Sequence, residues 1–212
     1  MKLFLDTADV KSVKARLSTG LISGITTNPT LIFKSGKHPQ TVYQELIKLG
    51  IDDISMEVMG DSEDELFKNA MGHVKSYADK ATIKLPCTID GLKACKRLSA
   101  INVRTNVTLI FSPAQAILAS LAGATYISPF IGRMDDNSLD GMKLINDISN
   151  TLRSDTKILA ASIRDPQSVG TAFALGADIC TVPTGVFDRM YNHVLTDKGL
   201  EQFERDNAAT SD

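Results

Sequence analysis

Lys84 carries the clearest chemical potential in this sequence. It lies in Ala81-Thr82-Ile83-Lys84-Leu85-Pro86-Cys87-Thr88, where Ala81, Ile83 and Leu85 alternate with Thr82 and Lys84 and Pro86 closes the run. That period of two reads as a short strand, with the lysine near its C-terminal end among apolar neighbours. A lysine so placed either snorkels or finds an ion partner, or loses its proton through desolvation and becomes a nucleophile. In the second case the amine condenses with a ketone to an iminium, an electron sink for breaking a neighbouring carbon–carbon bond. Such chemistry requires an acid/base and a relay water. Asp6 and Glu57 are the available carboxylates, and two carboxylates around one lysine hold different protonation states when their environments differ. Arg133 and Arg164, with the Ser162 hydroxyl, suit a phosphate through charge-assisted bonds.

These residues share a place in the pattern, each near the C-terminal end of a strand. The first strand brings Asp6, the second Thr26, Thr27 and Asn28, the third Glu57 and the fourth Lys84. The fifth brings Asn106 and Thr108, the sixth Ser128 and Arg133, the seventh Ser162 and Arg164. Each also has a plainer role. Asp6 would serve as a helix cap, Glu57 as the ion partner of Lys84, Asn28 as a turn former, Thr26 and Thr108 as ordinary strand residues, and the arginines as surface charges. Together the plainer account weakens, because polar side chains gathered at one mouth need a reason to be desolvated.

The elements that must position them follow from periodicity and punctuation. Strands are expected at 2–6, 24–27, 54–59, 81–86, 105–110, 125–131, 157–163 and 178–182. Helices alternate with them: from an Asp9 or Thr7 cap to about Ser18, from Gln40 to Leu49, from the Ser62 cap to Tyr77, and from Asp90 to Ala100. Further helices run from Pro113 to Gly123, from Met142 to Leu152 and from Asp165-Pro166 to Gly176. Asn28-Pro29 reads as a turn, followed by a loop through Ser35-Gly36-Lys37-His38-Pro39, and 135–141 as a polar loop. After Pro183-Thr184-Gly185 come helices at about 187–194 and 198–207, and a tail, 208–212, expected to fray. Strands rich in Val, Ile and Leu belong to parallel sheets covered by helices. Eight regular βα units predict a single-domain (β/α)8 TIM barrel spanning 1–212, with an extra C-terminal helix and a helical tail from about 187. No Gly-x-Gly-x-x-Gly fingerprint argues for an open doubly wound sheet. In such a barrel the strands' C-terminal ends carry the active site.

Composition narrows the function. A chain of 212 residues, 43% hydrophobic, builds one sizeable core. A formal charge of −2 provides no basic footprint for nucleic acid, although a few local arginines still suffice for a small anion. Cys87, Cys95 and Cys180 match neither a disulfide framework nor a zinc motif, and His38, His73 and His193 join no cluster with metal-ligand spacing. The chain opens on a strand rather than a leader and holds no run of about 18 apolar residues, so it reads as a soluble cytoplasmic protein with no membrane partner.

Several stretches resemble the transaldolase family, specifically its short-chain branch, which includes the fructose-6-phosphate aldolases. They are Leu5-Asp6-Thr7-Ala8-Asp9, Gly24-Ile25-Thr26-Thr27-Asn28-Pro29-Thr30, Ile83-Lys84-Leu85-Pro86-Cys87-Thr88 and Asn106-Val107-Thr108-Leu109-Ile110-Phe111-Ser112. Ile127-Ser128-Pro129-Phe130-Ile131-Gly132-Arg133, Ala160-Ala161-Ser162-Ile163-Arg164 and Thr196-Asp197-Lys198-Gly199 follow in family order over nearly the whole chain. The resemblance implies Lys84 as the Schiff-base lysine, Asp6 as the acid/base, and Glu57 with Thr108 as the pair positioning the catalytic water. It implies Asn28, Asn106 and Ser128, beside Thr26 and Phe130, as substrate contacts, and Arg133, Ser162 and Arg164 as the phosphate site. The implied reaction moves a dihydroxyacetone unit from fructose 6-phosphate or sedoheptulose 7-phosphate to an aldose phosphate, with no metal or organic cofactor, in a homo-oligomer, a pentamer or decamer. Where the aldolase branch has glutamine and a tyrosine, this sequence has Glu57 and Phe130, as transaldolases do. Thr30 stands where the family commonly has serine, which keeps the hydroxyl. The rivals are a fructose-6-phosphate aldolase releasing free dihydroxyacetone, a deoxyribose-phosphate type of lysine aldolase, and a non-catalytic sugar-phosphate binder. Lys93 and Lys96, placed in the following helix, do not supply the second mouth lysine of the deoxyribose type.

Overall fold

The computed structural model describes residues 1–210. Its strands are β1 (Lys2–Asp6), β2 (Ile22–Thr26), β3 (Ile54–Glu57), β4 (Ala81–Pro86), β5 (Thr105–Ile110), β6 (Tyr126–Pro129), β7 (Lys157–Ala160) and β8 (Ile179–Val182). They pair in parallel and in chain order into a closed barrel. β8 seals it against β1 over Lys2↔Ile179 to Leu5↔Val182. Around it lie α1 (Val10–Leu17), α2 (Pro29–Ser35), α3 (Pro39–Lys48), α4 (Glu63–Tyr77), α5 (Ile89–Ala100) and α6 (Pro113–Leu121). They continue with α7 (Ile131–Asp136), α8 (Gly141–Thr151), α9 (Pro166–Ala174), α10 (Thr184–Arg189) and α11 (Val194–Ala209). This is the single-domain (β/α)8 barrel expected, with α11 as the additional helix.

Alternation along the strands divides their side chains between two layers. Leu5, Ile25, Ile54, Met56, Ile83, Leu85, Val107 and Ile127 pack outward in one core with helix residues such as Val13, Leu46, Leu66, Leu98 and Ile145. Residues of the opposite parity fill the barrel. Phe4, Tyr126, Leu159, Ala161 and Ile179 form a separate apolar cluster there. A Cβ at Gly24 would lie 2.6 Å from the Phe4 ring, so only glycine leaves that ring its place. At the same depth buried Asp53 accepts hydrogen bonds from Tyr126 Oη and Thr82 Oγ1, both 2.7 Å, and pairs with Arg104 at 3.2 Å.

Capping chemistry starts most helices where short polar residues precede them. Asp9, Ser62, Thr88, Ser112, Asp140 and Asp165 each accept a hydrogen bond from a backbone N–H of the turn they open. The same chemistry corrects the expectation of a turn at Asn28-Pro29, while the loop expected at 35–39 is found at 36–38. Asn28 Oδ1 accepts from Leu31 N at 2.9 Å and Pro29 takes the first helical position, so Asn28-Pro29 opens α2. Gly36, at φ 66°, then ends that helix.

The third, sixth and seventh strands stop short of the expected 59, 131 and 163. β6 ends at Pro129, with one further parallel bridge between Phe130 and Ala161, and Ser162 adopts a left-handed φ of 60° just past β7. Ile131 N and Gly132 N instead donate to Ala161 O and Ser162 O at 3.0 and 3.1 Å and start α7. Arg133 therefore rides on a short helix, and the polar loop expected from 135 begins only after Asp136. α10 begins directly after Pro183, earlier than 187, and α11 begins at Val194 behind a His193 cap, earlier than 198. Ala208 and Ala209 are helical rather than frayed, while 211 and 212 of that tail lie outside the described residues. Among the described residues no helix is long and apolar enough to cross a membrane.

Candidate active site

The mouth of the barrel at the C-terminal strand ends holds two adjoining cavities. One, of about 130 Å³, is lined by Asp6, Thr26, Asn28, Lys84, Ser128, Phe130, Arg133, Ala161, Ser162 and Thr181. The other, of about 330 Å³, shares Asn28, Lys84, Phe130 and Arg133 and adds Glu57 and Thr108. The strands bring their polar residues together because odd and even positions of neighbours stay in register: Glu57 faces Lys84 and Lys84 faces Asn106 across paired strands.

Lys84 is 5% exposed. Its Nζ donates to the Thr27 carbonyl and to Glu57 Oε2, both at 3.1 Å. Two N–H bonds are thus committed, and the remaining tetrahedral direction of nitrogen is left for the cavities that Lys84 lines. Beside it, a chain of hydroxyls reaches Asp6. Thr26 Oγ1 donates to Asp6 Oδ1 at 2.7 Å and lies 2.7 Å from Thr181 Oγ1. A hydroxyl has one proton to give, so Thr181 is the donor to Thr26. Burial pushes the Asp6 carboxyl above the usual carboxylate range, opposed by the Thr26 hydrogen bond and the Lys84 charge.

Thr108 Oγ1 is buried and without a hydrogen-bond partner among the described residues. It lines the second cavity together with Glu57 and Lys84. The register between β5 and β6 slips beside it, where Leu109 takes φ 60°. Buried polar groups left without partners are rare, and an unpaired hydroxyl at a cavity wall calls for a water or ligand.

Asn28 commits its carbonyl oxygen to the α2 cap, so its NH2 is the group it brings to both cavities. Ser128 lines the first cavity, whereas Asn106 lies behind it. Asn106 Oδ1 accepts from Ser128 Oγ at 2.7 Å, and Asn106 Nδ2 donates to Ser55 Oγ at 3.1 Å. Asn106, expected as a substrate contact, is not among the described residues that line either cavity, and its side chain braces Ser128. Phe130 closes one wall, edge-on to Phe111 at 6.0 Å, and the Arg133 guanidinium lies 5.0 Å above its ring.

Of the expected phosphate residues, Arg133 and Ser162 line the first cavity. Arg164 is not among the described residues that line it. Its guanidinium forms a two-pronged ion pair with Asp136 of α7. Thr181 lines the cavity without having been singled out in the sequence, although its place near the end of the eighth strand marks it as Asp6 and Thr26 were marked. Cys95 and Cys180 are buried and Cys87 partly so, and burial pushes all three thiols up, Cys180 to about 12. Among the described residues no group of His, Cys, Asp and Glu is arranged to hold a metal ion.

Comparison with known proteins bears on this geometry. The family described as Transaldolase/Fructose-6-phosphate aldolase matches residues 3–212. A probable transaldolase of Caulobacter vibrioides (strain NA1000 / CB15N) is 48% identical over 213 residues, covering 99% of this chain and 98% of its own. One from Nitrosopumilus maritimus (strain SCM1) is 45% identical over 210 residues, covering 97% and 94%. Among solved structures, thiamine phosphate pyrophosphorylase from Pyrococcus furiosus superposes with a TM-score of 0.57 at 18% identity, over 85% of each chain. Inosine 5' monophosphate dehydrogenase from Legionella pneumophila superposes with a TM-score of 0.63 at 17% identity, over 88% of this chain and 58% of that one. At such identity these two share the barrel alone. A matching family description over nearly the whole length, and relatives close to half identical from end to end, place this chain in the transaldolase/fructose-6-phosphate aldolase family.

Proposed function

We propose that this chain is a transaldolase that passes a dihydroxyacetone unit from fructose 6-phosphate or sedoheptulose 7-phosphate to an aldose phosphate through a Schiff base on Lys84. The observation that carries this reading is a nearly buried lysine held by Glu57 and Thr27 at 3.1 Å, with one direction of its nitrogen open to a polar cavity. The amine adds to the ketone carbon of the donor, and loss of water leaves an iminium. Asp6, its carboxyl held high by burial, takes the proton of the donor's C4 hydroxyl as the C3–C4 bond breaks and its electrons enter the iminium as an enamine. The aldose departs. The enamine carbon then attacks the acceptor aldehyde, and Asp6 returns its proton to the new alkoxide. Water adds back to the iminium and frees the ketose. Glu57 and the unpartnered Thr108 hydroxyl hold that water and the one released earlier.

Asn28 and Ser128 bind the donor's hydroxyls, with Thr26 and Thr181 orienting Asp6. Arg133 and Ser162, joined by Arg164, receive the phosphate. Phe130 offers no phenol to activate water, which favours transfer over release as free dihydroxyacetone. The chain acts as one domain in the cytoplasm, and its homo-oligomer, a pentamer or decamer, is built through α11.

The test is to incubate the protein with fructose 6-phosphate and follow glyceraldehyde 3-phosphate with and without erythrose 4-phosphate. Product that depends on the acceptor is expected. Equal product without acceptor would make the chain an aldolase. Lys84→Met is expected to abolish turnover and the borohydride-trapped adduct while the circular dichroism of the barrel stays unchanged; retained turnover would sink the Schiff base.

A further inference from the structure

Asp136 stands where an anion is not expected, among the basic groups assigned above to the phosphate. Its carboxylate grips Arg164 with both oxygens, and the Arg133 charge also acts on it. The carboxylate is brought there by α7. Gly132 N donates to Ser162 O at 3.1 Å, and the approach is so close that a Cβ at Gly132 would lie 2.3 Å from that oxygen and 2.8 Å from Arg164 Nε. Arg189 Nη2 donates to Arg164 O at 2.9 Å and pins the backbone of the same residue. Arg164 is thereby fixed at its main chain and the tip of its side chain is held by Asp136, while Arg133 and Ser162, its companions in the assigned phosphate site, line the cavity.

From this juxtaposition we propose that Asp136 is a specificity-determining residue, an internal anion that competes with the substrate phosphate for Arg164 and so weakens and tunes phosphate binding. The inference rests on the phosphate assignment made above. A phosphate bound by Ser162 and Arg133 gains Arg164 only if the guanidinium leaves Asp136 or shares it. Both partners of the pair are about half exposed, 56% for the Arg164 side chain and 47% for Asp136. Exposed pairs of this kind are weak, so the exchange is within reach of a phosphate dianion.

The experiment uses glucitol 6-phosphate, an alcohol that cannot form a Schiff base, so its binding does not depend on turnover. Calorimetric Kd values are compared at one ionic strength for the intact chain, Asp136→Asn, Arg164→Gln and the double variant. Asp136→Asn is expected to tighten binding about fivefold, which is about 1 kcal/mol. Arg164→Gln is expected to weaken it, and the gain from Asp136→Asn is expected to vanish in the Arg164→Gln background. Unchanged or weaker binding by Asp136→Asn overturns the proposal, as does a gain that survives without Arg164. If Arg164→Gln leaves the Kd unchanged, the phosphate assignment itself fails, a result distinct from a failure of Asp136 alone. Should Asp136→Asn not fold, Asp136→Ser carries the same test.

Discussion

Asp6 shows how one side chain joins stability to chemistry. Its carboxyl is raised above 3.8 by burial, so the folded state binds its proton more tightly than the unfolded chain does. The stabilisation from that proton is complete below about pH 3.8 and is lost as pH rises through the higher folded value. Asp6→Asn carries no such proton. It is therefore expected to gain in melting temperature over the parent as pH rises from 4 towards 7, with its activity lost; a constant difference across that range would refute the burial argument. Phe130 is a second case at this scale. A phenol placed there by Phe130→Tyr is expected to raise acceptor-free release of dihydroxyacetone severalfold, measured as free ketone from fructose 6-phosphate. An unchanged release rate would remove Phe130 from the choice between transfer and release. Both residues were visible in the sequence. The committed hydrogen bonds of Asn106 were not, because its partners Ser55 and Ser128 come from other strands, far away along the chain.

Among the elements, α7 decides most about the site. It is only six residues long, Ile131–Asp136, and its first turn is tied to the chain after β7 by Ile131 N and Gly132 N. It carries Arg133 to the cavity and Asp136 to Arg164. Gly132→Ala would push Ser162 O from 2.3 Å, which neither a helix turn nor a strand end accommodates without moving. The expected result is a loss of about 1–3 kcal/mol in urea unfolding, with a larger rise in KM for fructose 6-phosphate than fall in kcat. A variant as stable as the parent, with KM unchanged, would show that α7 moves freely. Neither α7 nor α2 was expected from the sequence. Each is a single short turn or two, with too few residues for a helical period to show. Asn28-Pro29 reads equally as turn or cap until the backbone beyond it is seen.

At the scale of the molecule, the barrel accounts for most of the buried side chains, and α11 stands apart from it. None of its residues is buried, and Val194, Leu195, Leu200 and Phe203 are exposed on it. A sixteen-residue helix with none of its side chains buried is marginal in water, which supports the proposal that another copy covers it. Phe203→Asp is expected to lower the mass found by light scattering while leaving the barrel's circular dichroism intact. An unchanged mass would separate α11 from assembly.

The sequence by itself determined the barrel, because eight alternating runs of Val, Ile and Leu between helical stretches can bury their surface in few other ways. It also determined most of the residues that stand at the strand ends, because position along a strand is a local property; Arg133, carried by α7, and Thr181 are the exceptions. The tertiary structure alone decided what each of those side chains does with its hydrogen bonds. Lys84 divides its donors between Thr27 and Glu57, Asn106 turns to Ser55 and Ser128, Thr181 joins Thr26, and Arg164 is held by Asp136 rather than by the cavity. Each of those pairings joins residues from different elements, and a hydrogen bond is set by a distance of about 3 Å that no local pattern encodes.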